Sequence, residues 1–456
     1  MTRSIPPAEH DYDRLRSRQW LAGQARGDGF SRRDLLRLAG AMGAAAAATT
    51  APAEAAAATP PAGPAAEDGR PRAGAVTDAG TPAAGQRTGA VAAAPPIVKP
   101  LPPELFEVYG SNAEMRWSAM AGQGYLVPTD RFFVRNHTST PLLDADSWRL
   151  RLFGTGLRGS PTADDPIELS HRDLRRMPAE TRTAAVECAG NGRSFFTSQQ
   201  GQTVSGTAWK LGAVGVARWR GVRLSTVLRH AGLTGDAVDV LPTGLDADYV
   251  TGGVNLGPVR RPLPLAKARH DVLLAYEMNG RPLLPDHGFP VRLVVPGWIG
   301  ISSIKWLGSI EVADGPLFSP WNTQFYRLFG PGYPADGQLI GPQVVKSAFE
   351  LPWAARLPAG APIELTGRSW SGAGRIRTVE VSIDDGRTWR RAKLSPGPAG
   401  ASWRRWRFRW QSPAAGAYTL RARATDVTGA TQPDEARFNT LGYLFDGVVR
   451  HPVTVG

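Results

Sequence analysis

The chain has 456 residues, a formal net charge of +13 and one cysteine. One cysteine excludes an intramolecular disulfide and a zinc site built on several thiolates, and the length allows two or three domains. No run of about eighteen apolar residues occurs, so no membrane-spanning helix is expected, and no C-x-x-C-H offers attachment to a c-type haem.

Residues 1–100 hold 12 basic and 9 acidic side chains, so +10 of the +13 belongs to the remainder. Those charges are spread along the chain and form no dense stripe, which argues against nucleic acid. They fit an arginine-rich surface, or a field that draws a small anion or an acidic protein.

The first hundred residues do not read as a fold. Ser31-Arg32-Arg33-Asp34-Leu35-Leu36 precedes an alanine-rich run that reaches about Ala58. A twin arginine ahead of a weakly apolar segment is the pattern of a Tat export signal, so residues 1–58 are assigned to it. The expected destination is the periplasm, the cell envelope or the exterior. Residues 59–100, mainly Ala, Pro, Gly and Thr, are assigned to a linker. Structure is expected from about Leu101.

Residues 101–335 mix short elements. Ser147–Phe153 alternates as a half-buried strand does, Leu224–Ala231 reads as a helix stopped by Gly232, and Val291–Val295 is a β-rich run closed by Pro296-Gly297. No regular βαβ repeat emerges, so the class is α+β. Residues 340–456 read as all-β. Val379, Val381 and Ile383 alternate up to an Asp385-Gly386 turn, Trp406, Phe408 and Trp410 alternate with arginines, and Tyr418, Leu420, Ala422 and Ala424 alternate again. Short strands at this spacing predict a β-sandwich.

Three segments carry possible chemistry. Glu187-Cys188-Ala189-Gly190-Asn191-Gly192-Arg193 sets the thiol among small and polar residues. That composition suits an approachable thiolate better than a core cysteine, and a thiolate is a good ligand for a soft metal. Phe133-Val134-Arg135-Asn136-His137 and Asp286-His287-Gly288-Phe289-Pro290-Val291-Arg292, with Ser303 and Lys305 beyond, could cradle a phosphate or a pterin. The residues alone leave other readings open: satisfied core histidines, a hydrolase using Cys188 with His137 or His287 as base, or a non-catalytic binding protein.

Taken in order, these segments resemble the sulfite oxidase family. The resemblance adds Gly244-Leu245-Asp246, Ala275-Tyr276-Glu277-Met278-Asn279-Gly280 and Lys305-Trp306-Leu307-Gly308, and in the C-terminal part Trp370-Ser371-Gly372 and Ser382–Trp389. It implies a molybdopterin-binding catalytic domain over 101–335 and an immunoglobulin-like dimerisation domain over 340–456. It also implies Cys188 as the ligand to molybdenum. The molybdopterin is expected on Phe133, Asn136, His137, Asp246, His287, Arg292, Ser303 and Lys305, and the substrate pocket on Arg135, Arg193, Trp209 and Tyr326. The implied substrate is sulfite or a related sulfur oxyanion. The implied partners are an external electron acceptor such as cytochrome c and a second copy of the chain, with no haem in this chain.

Two departures stand out. Gly192 replaces one arginine of the family's pattern after the cysteine, and Leu441 stands where animal and plant members carry a sulfite-binding arginine. The second departure admits a sulfane dehydrogenase-like substrate. It leaves Arg437 or Arg450 as candidate substitutes for the missing charge.

Overall fold

A computed structural model describes residues 8–21 and 96–456, apart from 336, 341, 398–401 and 412. The Arg32-Arg33 signal and the assigned linker up to residue 95 lie outside the described residues.

Two main sheets, with smaller two-stranded ones, build the first domain. One runs in the order Leu263–Pro264, Asp239–Gly244, Leu307–Ala313, Arg149–Phe153, Ile167–Ser170. Leu307–Ala313 and Arg149–Phe153 pair in parallel, while the other neighbours are antiparallel. The other sheet runs Arg281–Pro282, Leu273–Met278, Val214–Arg223, Ala179–Glu187, and Arg292–Val294 also pairs with Leu273–Met278. The α+β expectation holds. Leu150 and Leu152 are fully buried while Arg149 and Arg151 face out, as their alternation requires. The expected helix is Leu224–His230, and Gly232 follows it with φ +82°, a left-handed stop that suits glycine.

The second domain is the expected sandwich. A four-stranded sheet (Lys346–Phe349, Ile363–Trp370, Arg404–Trp410, Lys393–Leu394) faces a five-stranded one (Ala355–Leu357, His451–Val455, Gly416–Asp426, Ile376–Ser382, Arg390–Arg391). Trp406, Phe408 and Trp410 point into its core with Leu365, Val379, Val381 and Leu420. The aromatic–arginine ribbon is thus a strand with one core face and one charged face.

The expectation that the first hundred residues lack a fold is corrected for residues 9–21 and 98–99. Glu9–Leu21 forms a helix, α1, laid against the first domain with Glu9, Tyr12, Asp13, Arg16 and Ser17 buried. These positions follow the helical spacing i, i+3, i+4, i+7, i+8, but four of the five are polar. A search for an apolar stripe therefore passes over them. The structure is also described before Leu101: the backbone N–H groups of Val98 and Lys99 donate to the Asp286 carboxylate at 2.7–3.1 Å.

Candidate active site

The site forms where the Ala179–Glu187 strand ends. Its last residue, Glu187, is buried, and the chain turns so that Cys188 is half-buried at the edge of a cavity of about 730 Å³, its open mouth included. The turn is fixed from several sides. Cys188 N–H donates to Ala213 O at 2.9 Å, and Asn191 N–H closes onto Cys188 O at 2.9 Å. Gly300 packs against the same peptide, where a Cβ would lie 2.7 Å from Glu187 O. No side chain fits there, so glycine lets the opposite wall close on the thiol.

The C-terminal sandwich grips the same turn. Lys346 donates to the Glu187 carboxylate at 2.9 Å and to Asn191 O at 2.7 Å, and Trp370 Nε1 donates to the other carboxylate oxygen at 3.0 Å. Asn191 Nδ2 donates to Glu187 as well, at 2.9 Å. A buried charge held by an ammonium and two N–H donors is satisfied, and it ties the thiol's position to the second domain.

The far wall is cationic. Arg292 is buried, and its side chain donates to the carbonyls of Leu293, His287 and Ser303 at 3.1–3.3 Å. Lys305 donates to Asn136 Oδ1 and, at 2.9 Å, to Asp286 O. Among the described residues neither they nor Arg135 forms an ion pair. Burial pulls the Arg292 guanidinium down to about 9 and lowers the Lys305 ammonium well below its usual range. Asp286 lines the cavity, but its carboxylate is taken by the Val98 and Lys99 N–H groups and by Thr140 Oγ1 at 2.6 Å. Asp246 accepts weakly from Val259 N–H at 3.3 Å, and burial raises its carboxyl.

Two histidines complete the lining. His137 Nε2 lies 3.3 Å from Trp321 Nε1 and 3.1 Å from an Arg135 nitrogen. Indole and guanidinium only donate, so Nε2 accepts and the ring is neutral. Burial, Arg135 and Lys305 all lower its basicity, which agrees. His287 is buried, with its basicity lowered by burial and by Lys99, Lys305 and Arg292, and its Nε2 has no partner within the protein. A buried unpaired nitrogen on a cavity wall points to a ligand.

Near the thiol, Arg135 faces Cys188, Tyr326, Tyr443 and Tyr249. Tyr326 stacks on Tyr443 with ring centroids 5.5 Å apart, and burial keeps its phenol protonated far above neutrality. Tyr326 also adopts φ +58°, a left-handed conformation that costs a non-glycine residue roughly 1–3 kcal/mol.

Phe133, Arg135, Asn136, His137, Cys188, Asp246, His287, Arg292, Ser303, Lys305 and Tyr326 thus meet in one cavity. Arg193 and Trp209 do not line it. Arg193 donates to the carbonyls of Leu441 and Thr207 at 2.8 Å and stands 5.1 Å from the Tyr443 ring, one layer behind the wall. Trp209 is buried in the core edge-on to Tyr109. Leu441 meets Arg193 through its carbonyl and is not part of the lining either. Neither candidate substitute reaches the cavity: Arg437 lies over Tyr333, and Arg450 pairs with Glu435 and Gln199. Sequence reasoning missed Tyr443, Tyr249 and Lys99. None carries a spacing signal, because each reaches the site from a distant stretch of chain.

Known proteins resemble this chain over both domains. Residues 137–321 match the family described as oxidoreductase molybdopterin binding domain, and residues 345–455 match the Mo-co oxidoreductase dimerisation domain. The chain is 38% identical over 356 residues to the sulfite oxidase of Gallus gallus, covering 73% of this chain and 74% of that protein. It is 36% identical over 330 residues to the mitochondrial sulfite oxidase of Mus musculus, covering 68% of this chain and 58% of the relative. The chain therefore spans little more than half the length of the mitochondrial sulfite oxidases it matches. Among solved structures, the sulfane dehydrogenase SoxCD of Paracoccus pantotrophus superposes with a TM-score of 0.62 at 27% identity, covering 76% of this chain and 84% of that one.

Proposed function

This chain belongs to the sulfite oxidase family, and on that premise we propose that it oxidises sulfite to sulfate with molybdopterin and passes the electrons to a separate carrier such as a cytochrome c. One observation carries the reading: a half-buried thiol opens onto a cavity whose buried cations lack carboxylate partners. Such cations favour an anionic ligand, and the unpaired His287 Nε2 offers it a further contact.

The donor set fits the cofactor. Cys188 would hold the metal as a soft ligand. His137, Asp246, His287, Arg292, Ser303 and Lys305, with Phe133 and Asn136, would hold the pterin and its phosphate. Bound molybdenum supplies the two-electron redox chemistry.

The chain's own residues bind and orient the anion. Arg135 offsets the charge of sulfite where burial has thinned the water, and there a charge-assisted contact is strongest. The Tyr326 phenol keeps its proton and donates a hydrogen bond. Tyr443 braces Tyr326 by stacking, and Arg193 acts on the site through Tyr443. A second substrate, a protein-bound sulfane, is favoured by the likeness to SoxCD.

The dimerisation-domain match supports a homodimer. Export rests on Arg32-Arg33, and replacing both with Lys should leave precursor in the cytoplasm.

The test is metal analysis of the purified chain together with sulfite-dependent reduction of cytochrome c or an artificial acceptor. Stoichiometric molybdenum and sulfite turnover are expected. Protein that retains molybdenum but turns over only a sulfane would replace the substrate, and protein that binds no molybdenum under loading conditions would sink the proposal.

A further inference from the structure

Upstream of the twin arginine, α1 is buried along a polar face, and every polar side chain on that face meets a partner in the first domain, although Asp13 does so through one carboxylate oxygen only. Glu9 accepts from Ser302 Oγ at 3.0 Å, from Ile299 N–H at 3.0 Å and from Arg261 at 3.3 Å. Asp13 accepts from the same Arg261 guanidinium. Tyr12 OH donates to Asp239 at 3.0 Å, and Arg16 forks onto both oxygens of that carboxylate at 2.6 Å. Ser17 Oγ accepts from Arg327. Two acids toward one arginine, then an arginine toward an acid, fix both direction and register. A chance surface contact would not bury Glu9, Asp13 and Arg16 to 1%, 1% and 4% exposure.

The receiving surface is the rear of the catalytic cavity. Ile299 and Ser302 belong to the turn whose Gly300, Ile301 and Ser303 line that cavity. Arg261 also donates to Trp321 O and lies 5.8 Å from the Tyr326 ring, while Trp321 donates to His137. The helix therefore braces two cavity walls, 299–303 and 321–327, from outside.

We propose that the surface formed by Arg261, Asp239, Ser302 and Arg327 is a docking site for the chain's own residues 9–21, and that docking is coupled to completion of the cofactor cavity. The helix finds its partners only where both walls are in place, and it holds those walls in return, as thermodynamic coupling requires. Arg32 follows Leu21 by eleven residues, so the docked helix ties the assigned export signal to a finished domain. The docking assumes nothing about what fills the cavity; its response to cofactor rests on the family reading.

The experiment is hydrogen exchange on the full chain, with and without molybdopterin, for the parent and for a Glu9→Lys, Asp13→Lys double variant. Both changes lie in α1 and leave the domain's own residues intact. In the loaded parent, amides of 9–21 should exchange on the order of a hundredfold more slowly than in the variant, and in the variant 299–303 and 321–327 should exchange about tenfold faster. Protection of α1 should also be greater with cofactor than without. Exchange of α1 at the unfolded rate in the loaded parent would overturn the docking site. Walls indifferent to the variant, or α1 indifferent to cofactor, would overturn the coupling. The family reading is judged separately, by molybdenum content.

Discussion

Arg135 faces Cys188 and Tyr326 from within the cavity, whereas Arg193 is spent on two carbonyls behind it. In the proposed reaction, the charge of the anion thus falls mainly on Arg135. Arg135→Gln should raise the Michaelis constant for sulfite about ten- to a hundredfold, since a charge-assisted contact contributes about 1.5–3 kcal/mol. The effect should shrink at high salt in steady-state kinetics. Leu441→Arg should change the constant less than about twofold, because a residue outside the lining cannot deliver a charge to the anion by short-range contact. A tenfold improvement in that variant would show that position 441 does face the substrate. Cys188→Ser should fold with an unchanged circular dichroism spectrum and lose turnover, because a hydroxyl is a harder and poorer donor than a thiolate. Full sulfite turnover by that variant would remove Cys188 from the mechanism.

Among the elements, α1 has the most distinctive energetics, because its buried stripe is polar. Burial pushes the Glu9 carboxyl from 4.5 to about 8 and the Asp13 carboxyl from 3.8 to about 6, although Arg261 faces both and Arg327 and Asn322 face Asp13. The docked helix therefore binds protons that the undocked helix has already released. The contribution of these two carboxyls should therefore be largest below about pH 4, and it should weaken as pH rises through the Asp13 and then the Glu9 value. Limited proteolysis at pH 5.5 and pH 8.5 checks this: cleavage within 9–21 should be faster at the higher pH once protease activity is normalised. Equal rates would mean that these carboxyls do not govern docking.

Across the whole molecule, the sandwich is part of the active-site architecture. Lys346 and Trp370 hold Glu187 beside the thiol, and the stretch after the Gly416–Asp426 strand returns to the first domain, where Leu444 N–H donates to Ala189 O at 2.8 Å and Tyr443 meets Tyr326. Lys346→Met leaves the Glu187 carboxylate buried without its cation. It should cost about 3 kcal/mol in a urea unfolding transition and loosen the Cys188 turn. Lys393→Met, on an exposed strand of the same sheet, should cost less than about 0.5 kcal/mol. Equal losses would show that the inter-domain ion pair contributes nothing.

The sequence by itself determined the α+β and all-β halves, the alternating strands at 149–153, 376–382, 404–410 and 416–426, and the motif residues of the cavity. Alternation and local motif spacing are properties of short stretches, and Leu150/Leu152 or Trp406/Phe408/Trp410 sort to one face wherever the strand is placed. Only the tertiary structure decided that Arg193 stands behind Tyr443, that Lys346 reaches the cysteine turn and that α1 docks at all. Each depends on groups far apart in the chain, Arg193 with Tyr443 and Glu9 with Arg261. A polar stripe that is buried only because distant partners satisfy it looks, in sequence, like a solvated face.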